Sequence, residues 1–398
     1  MRPGQPQTTP AAVADDDMEI VASLKPITSE NFGYEQARHL LWRAGFGGTA
    51  RQINTLVSWG PEKSVDFLLD GNALTYADET PQTFDKDIMR PPTEEERRMI
   101  AQARRNRDED GLARIQQERQ RRERLDRGQV AEMQKWWLRR MIETPAPLVE
   151  KMALFWHGHF ATGYRTIENS WHMYLQNQLF RTRGLDSFAD LLRSIIRDPA
   201  MLAYLDNNDS RKGRANENLA REIMELFALG IGNYAERDIK EGARALTGYT
   251  FNDDDFFFDQ RNHDTGAKSI LGRSGNLDGD GFVDAILAHR ACAPFITRKI
   301  YGYFVADVPA DERGGEKLLD PEQRAVLRQL AGTLRSNKYN LRPLMRRMLL
   351  SEHFYSPRFM SDQIKSPAVL VVGAVRSLGT PVRDLSILND AMDLMGQA

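Results

Sequence analysis

Three short stretches of the 398-residue chain gather the side chains best suited to chemistry. Trp156-His157-Gly158-His159-Phe160 sets two imidazoles two residues apart. Asn216-Glu217-Asn218-Leu219-Ala220-Arg221-Glu222-Ile223-Met224-Glu225-Leu226-Phe227 places carboxylates on a helix with an apolar face. His263-Asp264-Thr265-Gly266-Ala267-Lys268 adds an imidazole, a carboxylate and an amine in a Gly-bearing loop. Polar groups beside large apolar residues are costly unless hydrogen-bonded, ion-paired or bound to a metal, so these stretches are the first candidates for a site.

The spacing predicts a divalent-metal site built from His157, His159, Glu222 and His263. Neutral imidazole is a common transition-metal ligand, and a His-x-His pair can meet one ion where a helix ends or distorts, here at Gly158. On a regular helix the two rings would stand about 200° apart. Glu222 sits on the border of the face formed by Leu219, Ile223, Leu226 and Phe227, about 40° from Leu226, and is read as ligand or acid/base group. Asp264 is expected to orient an imidazole and Lys268 to act as an electrostatic group, which gives Glu222, Asp264 and Lys268 as the catalytic set. If the metal set is right, functional atoms of at least three ligands meet within about 5 Å of a point. The competing reading makes each histidine structural, with Asp264 folding its own loop through the Gly266 amide.

The same motifs carry a resemblance. Together with His39-Leu40-Leu41-Trp42-Arg43-Ala44-Gly45-Phe46-Gly47, Ala243-Arg244-Ala245-Leu246-Thr247-Gly248 and Phe295-Ile296-Thr297-Arg298-Lys299, they resemble the bacterial family catalogued as domain of unknown function 1800, from about Glu35 to the C-terminus. The resemblance implies one mostly helical domain in a largely uncharacterised family whose members are often exported, and it brings no reaction with it. Tyr249 stands where similar sequences tend to have Trp, and Ala235 where they tend to have a capping Thr.

The elements that must hold these residues are helical. A helix is predicted from Tyr34 to Ala44 with a left-handed stop at Gly45, a second behind a Thr49/Gln52 capping box, and a third opened by Gly60-Pro61. Period-2 patterning appears only in a short hairpin over Tyr249–Phe258. The fold class is therefore mainly α: a multi-helical domain over 31–398, preceded by a disordered tail over 1–30. Between Glu94 and Arg127 lie eleven Arg against nine Asp and Glu, a net of about +2. That is too little for a nucleic-acid arm, so the stretch reads as a solvated helical insertion broken near Asp110-Gly111.

Composition narrows the function. A net charge of −2 offers no attraction to nucleic acid or to an anionic membrane, and one cysteine, Cys292, excludes an internal disulfide framework. No segment approaches the ~20 apolar residues of a membrane span. Met1 to Met18 lacks the apolar run of a secretory signal, so the chain as written is expected in the cytoplasm. Asn276-Leu277-Asp278-Gly279-Asp280-Gly281 begins like a calcium loop, but its twelfth position is Leu287; Asp280 is read instead as a helix cap. Nucleophile-elbow, phosphate-loop and dinucleotide motifs are absent. Three function classes stay open: a metal-dependent hydrolase or oxygen-using enzyme, a metal-free hydrolase or lyase acting on polysaccharide through Glu222, and a non-catalytic helical scaffold.

Overall fold

The computed structural model describes residues 24–70, 84–308, 319–360, 362–381 and 384–397. Helices dominate them. The first group is α1 (Tyr34–Arg43), α2 (Ala50–Trp59), α3 (Pro61–Leu69), α4 (Glu94–Asn106), α5 (Glu109–Glu143), α6 (Pro147–His159), α7 (Tyr164–Ile167), α8 (Ser170–Arg183), α9 (Phe188–Ile195) and α10 (Pro199–Tyr204). The second is α11 (Asn218–Glu222), which runs on as a π-helix over Ile223–Ala228, then α12 (Glu236–Ala245), α13 (Gly279–Ala288), α14 (Cys292–Phe304), α15 (Pro321–Ser336), α16 (Leu341–Leu350), α17 (Pro367–Leu378) and α18 (Ser386–Leu394). Strand is confined to two antiparallel hairpins, β1 (Tyr249–Asn252) with β2 (Asp255–Phe258), and β3 (Lys268–Ile270) with β4 (Arg273–Gly275).

Local signals account for several boundaries. The Thr49 hydroxyl accepts from the Gln52 amide while the Gln52 side chain accepts from the Thr49 amide, closing the capping box. Gly60, at φ 79°, supplies the left-handed turn into Pro61. After α1 the positive φ falls at Gly47 and not at Gly45, because the chain needs the turn only after Phe46 has entered the core. The cap of α13 is Asp278, whose carboxylate accepts from the Gly281 amide at 3.0 Å; Asp280 is left to pair with Arg197.

Of the expected N-terminal tail, residues 1–23 lie outside the described residues. The remainder is docked: the Ile27 amide donates to the Leu350 carbonyl at 2.8 Å and the Glu352 amide to the Lys25 carbonyl at 2.9 Å. The charged insertion is a helical hairpin whose break falls at Arg107, φ 50°, and Asp108, which caps α5 through the Gly111 amide. Arg98–Glu94 and Arg121–Glu118 pairs lace its exposed surface. Residue 127 is not a boundary, for α5 runs unbroken over 35 residues into the body. There Asp126 accepts from the Ser170 amide and the Tyr164 hydroxyl.

A large apolar cluster unites most helices, with Leu40, Trp156, Ile300 and Leu344 at its interior. A smaller one, including Phe46, Leu138 and Val372, joins the end of α5 to α17 and α18, and Trp137 packs against both clusters. No helix among the described residues is long and apolar enough to cross a membrane.

Candidate functional site

Helix α6 organises the site. Its sequence is apolar almost all round, and such a helix is buried on every side. Its few polar residues must therefore find partners in the interior or open onto a cavity. Glu150 does the first. It is 1% exposed and accepts from Trp137 Nε1 at 2.8 Å, Arg140 Nε at 3.1 Å, and Arg181 Nε at 2.8 Å and Nη2 at 3.1 Å. Burial works against its charge, yet Arg181 and Arg140 hold its pKa below the ordinary value.

Lys151 does the second. It is 4% exposed, and among the described residues its amine has neither a hydrogen bond nor a carboxylate partner. Its nearest polarisable neighbours are the rings of Phe46 and Tyr303, with centroids at 5.0 and 5.5 Å. Burial, then the Arg43 guanidinium, push its pKa well below the usual lysine value. Cation–π contacts of about 0.5–2 kcal/mol each do not offset the desolvation of an unpaired ammonium. Arg43 is fixed by donating to the carbonyls of Phe304 at 2.8 Å and Tyr303 at 3.3 Å, and burial lowers it to about 10. The Tyr303 hydroxyl is shut from solvent with no hydrogen-bond partner among the described residues, and burial raises its pKa.

These groups open onto one two-lobed cleft. The first lobe, about 960 Å³, is bounded by His39, Trp42, Arg43, Lys151, Tyr303 and Asp362. The second, about 710 Å³, is bounded by His159, Glu225, Phe227, Phe295, Arg298 and Lys299. Gly302, Tyr303, Asp307 and Ser366 line both lobes, so the lobes adjoin. Its walls are helical stripes. On α6, Lys151, Phe155 and His159 recur every four residues; on α14, Phe295, Lys299 and Tyr303 do the same. Each lobe lies within the ~300–1,000 Å³ range of ligand pockets.

The motif histidines occupy different surroundings. Helix α6 stays regular through Gly158 to His159, so the two imidazoles diverge as an undistorted helix requires. His157 Nε2 accepts from Asn177 Nδ2 at 3.0 Å, between the rings of Trp137 and Phe180. His159 Nε2 donates to the Phe227 carbonyl at 2.9 Å. Burial lowers both to about 3, with nearby cations adding to the effect, which leaves neutral rings. His263 Nδ1 donates to the Thr247 carbonyl at 2.9 Å in the β1–β2 region. Among the described residues no group of three or more His, Cys, Asp or Glu side chains is arranged to hold a metal ion. Of the four expected ligands, only His159 lines the cleft.

Asp264 and Lys268 fold their own loop. Asp264 accepts from Arg244 Nε at 2.9 Å and from the Gly266 amide at 2.8 Å, and the Arg244 hydrogen bond above all holds its pKa near 2. Lys268 is buried and donates to the carbonyls of Asp264 at 2.5 Å and Gly266 at 3.1 Å. Glu222 has no hydrogen bond or ion pair among the described residues, and burial, then Glu225, raise its pKa.

The turn that places Glu225 in the cleft is the π-helix. The Leu229 amide reaches back five residues to the Met224 carbonyl at 3.0 Å. A wider turn changes the phase: burial follows Leu219, Ile223 and Phe227 at steps of four, and Leu226, expected inside, is 48% exposed on the cleft wall with Glu225 beside it. Glu225 accepts from the Tyr234 hydroxyl. π-turns inside helices are frequent at functional sites.

No curated protein and no solved structure matches the chain. The family model described as a protein of unknown function, DUF1800, matches residues 39–398, which takes in α6, the π-helix and α14 together. The chain therefore belongs to the DUF1800 family.

Proposed function

We propose that this chain is an enzyme whose reactive group is the amine of Lys151, acting in the two-lobed cleft as a general base or as a nucleophile toward a substrate carbonyl. The observation that carries the reading is a buried lysine at the edge of a ligand-sized space with no counter-charge among the described residues. A lowered pKa keeps the amine in its basic, nucleophilic form closer to neutral pH. As nucleophile, the amine nitrogen would add to the carbonyl carbon and the adduct would lose water to form an imine. Tyr303 offers a hydroxyl with no competing partner among the described residues and Arg43 a fixed cation for an anionic group of the substrate.

A second reading draws on Glu222, unpaired among the described residues and with its pKa raised by burial, with Glu225 three residues on and lining the cleft. Two carboxylates with different environments suit acid/base cleavage of a polysaccharide. A metal-dependent reading draws on His159 alone among its expected imidazoles.

Reductive alkylation separates these readings. The whole chain is exposed briefly to a small aldehyde and cyanoborohydride at neutral pH, and the alkylated lysines are mapped by mass spectrometry. Lys151 is expected to be modified ahead of the exposed lysines. Modification of Lys151 no faster than theirs would overturn the amine reading and favour the carboxylate enzyme or the scaffold.

A further inference from the structure

The two lobes of the cleft differ in chemistry. The first carries its charge around Lys151, with His39, Arg43 and Asp362 on its wall. The second is lined by Leu154, Leu226, Phe227, Ile231, Phe295 and Val308. Leu226 and Ile231 stand 48% and 42% exposed there, and large apolar side chains that share an exposed wall mark grooves for ligands. The charged residues of this lobe are engaged with neighbours: Glu225 accepts from the Tyr234 hydroxyl, Asp307 accepts from the Val308 amide, and neither Arg298 nor Lys299 is free.

A glycine marks the seam between the lobes. Gly302 lies inside α14 and lines both of them, while Gly158 lies inside α6 and lines the second. Glycine inside a helix costs stability relative to alanine, a cost explained where the backbone needs a positive φ or a neighbour leaves no room for a Cβ. Neither reason applies to these two. Neither has a positive φ; a Cβ at Gly158 would meet no atom within 4 Å, and one at Gly302 would touch only Val308, at 3.8 and 4.0 Å. What the absent side chains leave is room in the cleft. The lobe that adjoins at Gly302 holds the Lys151 amine, 4% exposed and without a hydrogen bond or carboxylate partner among the described residues.

We infer that one aliphatic chain bearing a carbonyl at its end occupies both lobes, with the polar end at Lys151, the tail in the second lobe, and Gly302 as the residue that lets the tail pass. The identity of the reacting end rests on the amine reading of Lys151; the tail site does not. Each methylene buried in such a lobe strengthens binding by up to about fourfold, so affinity climbs with chain length until the lobe is filled.

Hexanoate, octanoate and decanoate, their carboxylate standing in for the carbonyl end, are titrated into the whole chain by calorimetry. The dissociation constant should fall at least about tenfold from hexanoate to decanoate. Gly302→Leu fills the junction with a helix-favouring side chain and should bind the two alike, while Gly302→Ala should melt no lower than the parent and lie between. Ile231→Ser, on the exposed wall, should lose part of the gain and serves in place of Gly302→Leu if that variant does not melt cooperatively. Saturating decanoate should also slow reductive alkylation of Lys151 in the parent at least about tenfold. Chain-length dependence kept in Lys151→Met, with Lys151 of the parent alkylated no faster than the exposed lysines, would end the amine reading and support the tail site. Affinity independent of chain length, the same dependence in parent and folded variants, or tight decanoate binding that leaves a fast-reacting Lys151 unprotected would overturn the inference.

Discussion

Glu150 and Lys151 are neighbours in sequence and opposites in circumstance. The carboxylate accepts four hydrogen bonds from two arginines and a tryptophan, whereas the amine one residue later meets, among the described residues, only rings and a second cation. Both are nearly sealed from water. A buried charge with partners holds helices together; a buried amine without them weakens the fold and marks where chemistry can occur. The His157 and His159 end of α6 belongs with Glu150. Its imidazoles are neutral and engaged, and they tie α6 to α8 and to the π-helix.

The largest expected effect breaks the partnered side. Glu150→Ala removes the buried carboxylate that pairs with Arg140 and Arg181 and should cost about 3–5 kcal/mol in urea unfolding. A loss comparable to that of an exposed ion pair would mean the cluster is solvated and the contrast false.

Lys151→Met should act in the other direction. Removing an uncompensated amine should raise stability at neutral pH by roughly 1–3 kcal/mol. The sign follows from proton counts. The folded pKa lies below the unfolded value, so between the two the unfolded chain binds the extra proton and the parent gains stability as pH rises. The variant's advantage should therefore shrink as pH approaches 10.5. An advantage independent of pH would assign it to packing alone.

The smallest effect belongs to the hairpin. Glu118→Gln removes an ion-pair partner of both Arg121 and Arg122 on an exposed face, and thermal melting should barely register it. A large drop would show that the charged surface packs against something.

How much of this could be read beforehand depended on range. The Thr49 capping box, the Gly60-Pro61 junction and the β1–β2 hairpin are written in adjacent residues, and they appear as the spacing predicts. The π-helix is not: nothing in Asn216–Phe227 announces a wider turn, and the regular-helix assumption put Leu226 in the core. The β3–β4 hairpin leaves no period-2 signal, because each of its strands is three residues long and its turn uses Leu271 at positive φ. Lys151 was legible in principle. A helix apolar on all sides forces its charges inward, and Glu150-Lys151 was the sole charged pair on α6. Its lack of a partner depends on α1 and α14, which are distant in sequence, so only the assembled fold could reveal it.

The proposed chemistry turns on the protonation of one amine. Reductive methylation with isotopically labelled formaldehyde, followed by carbon NMR across a pH titration of the folded chain, reports each lysine separately. One resonance, missing in Lys151→Met, should titrate well below the rest. If the Lys151 resonance titrates with the exposed lysines, its amine is an ordinary cation and the cleft has lost its reactive group.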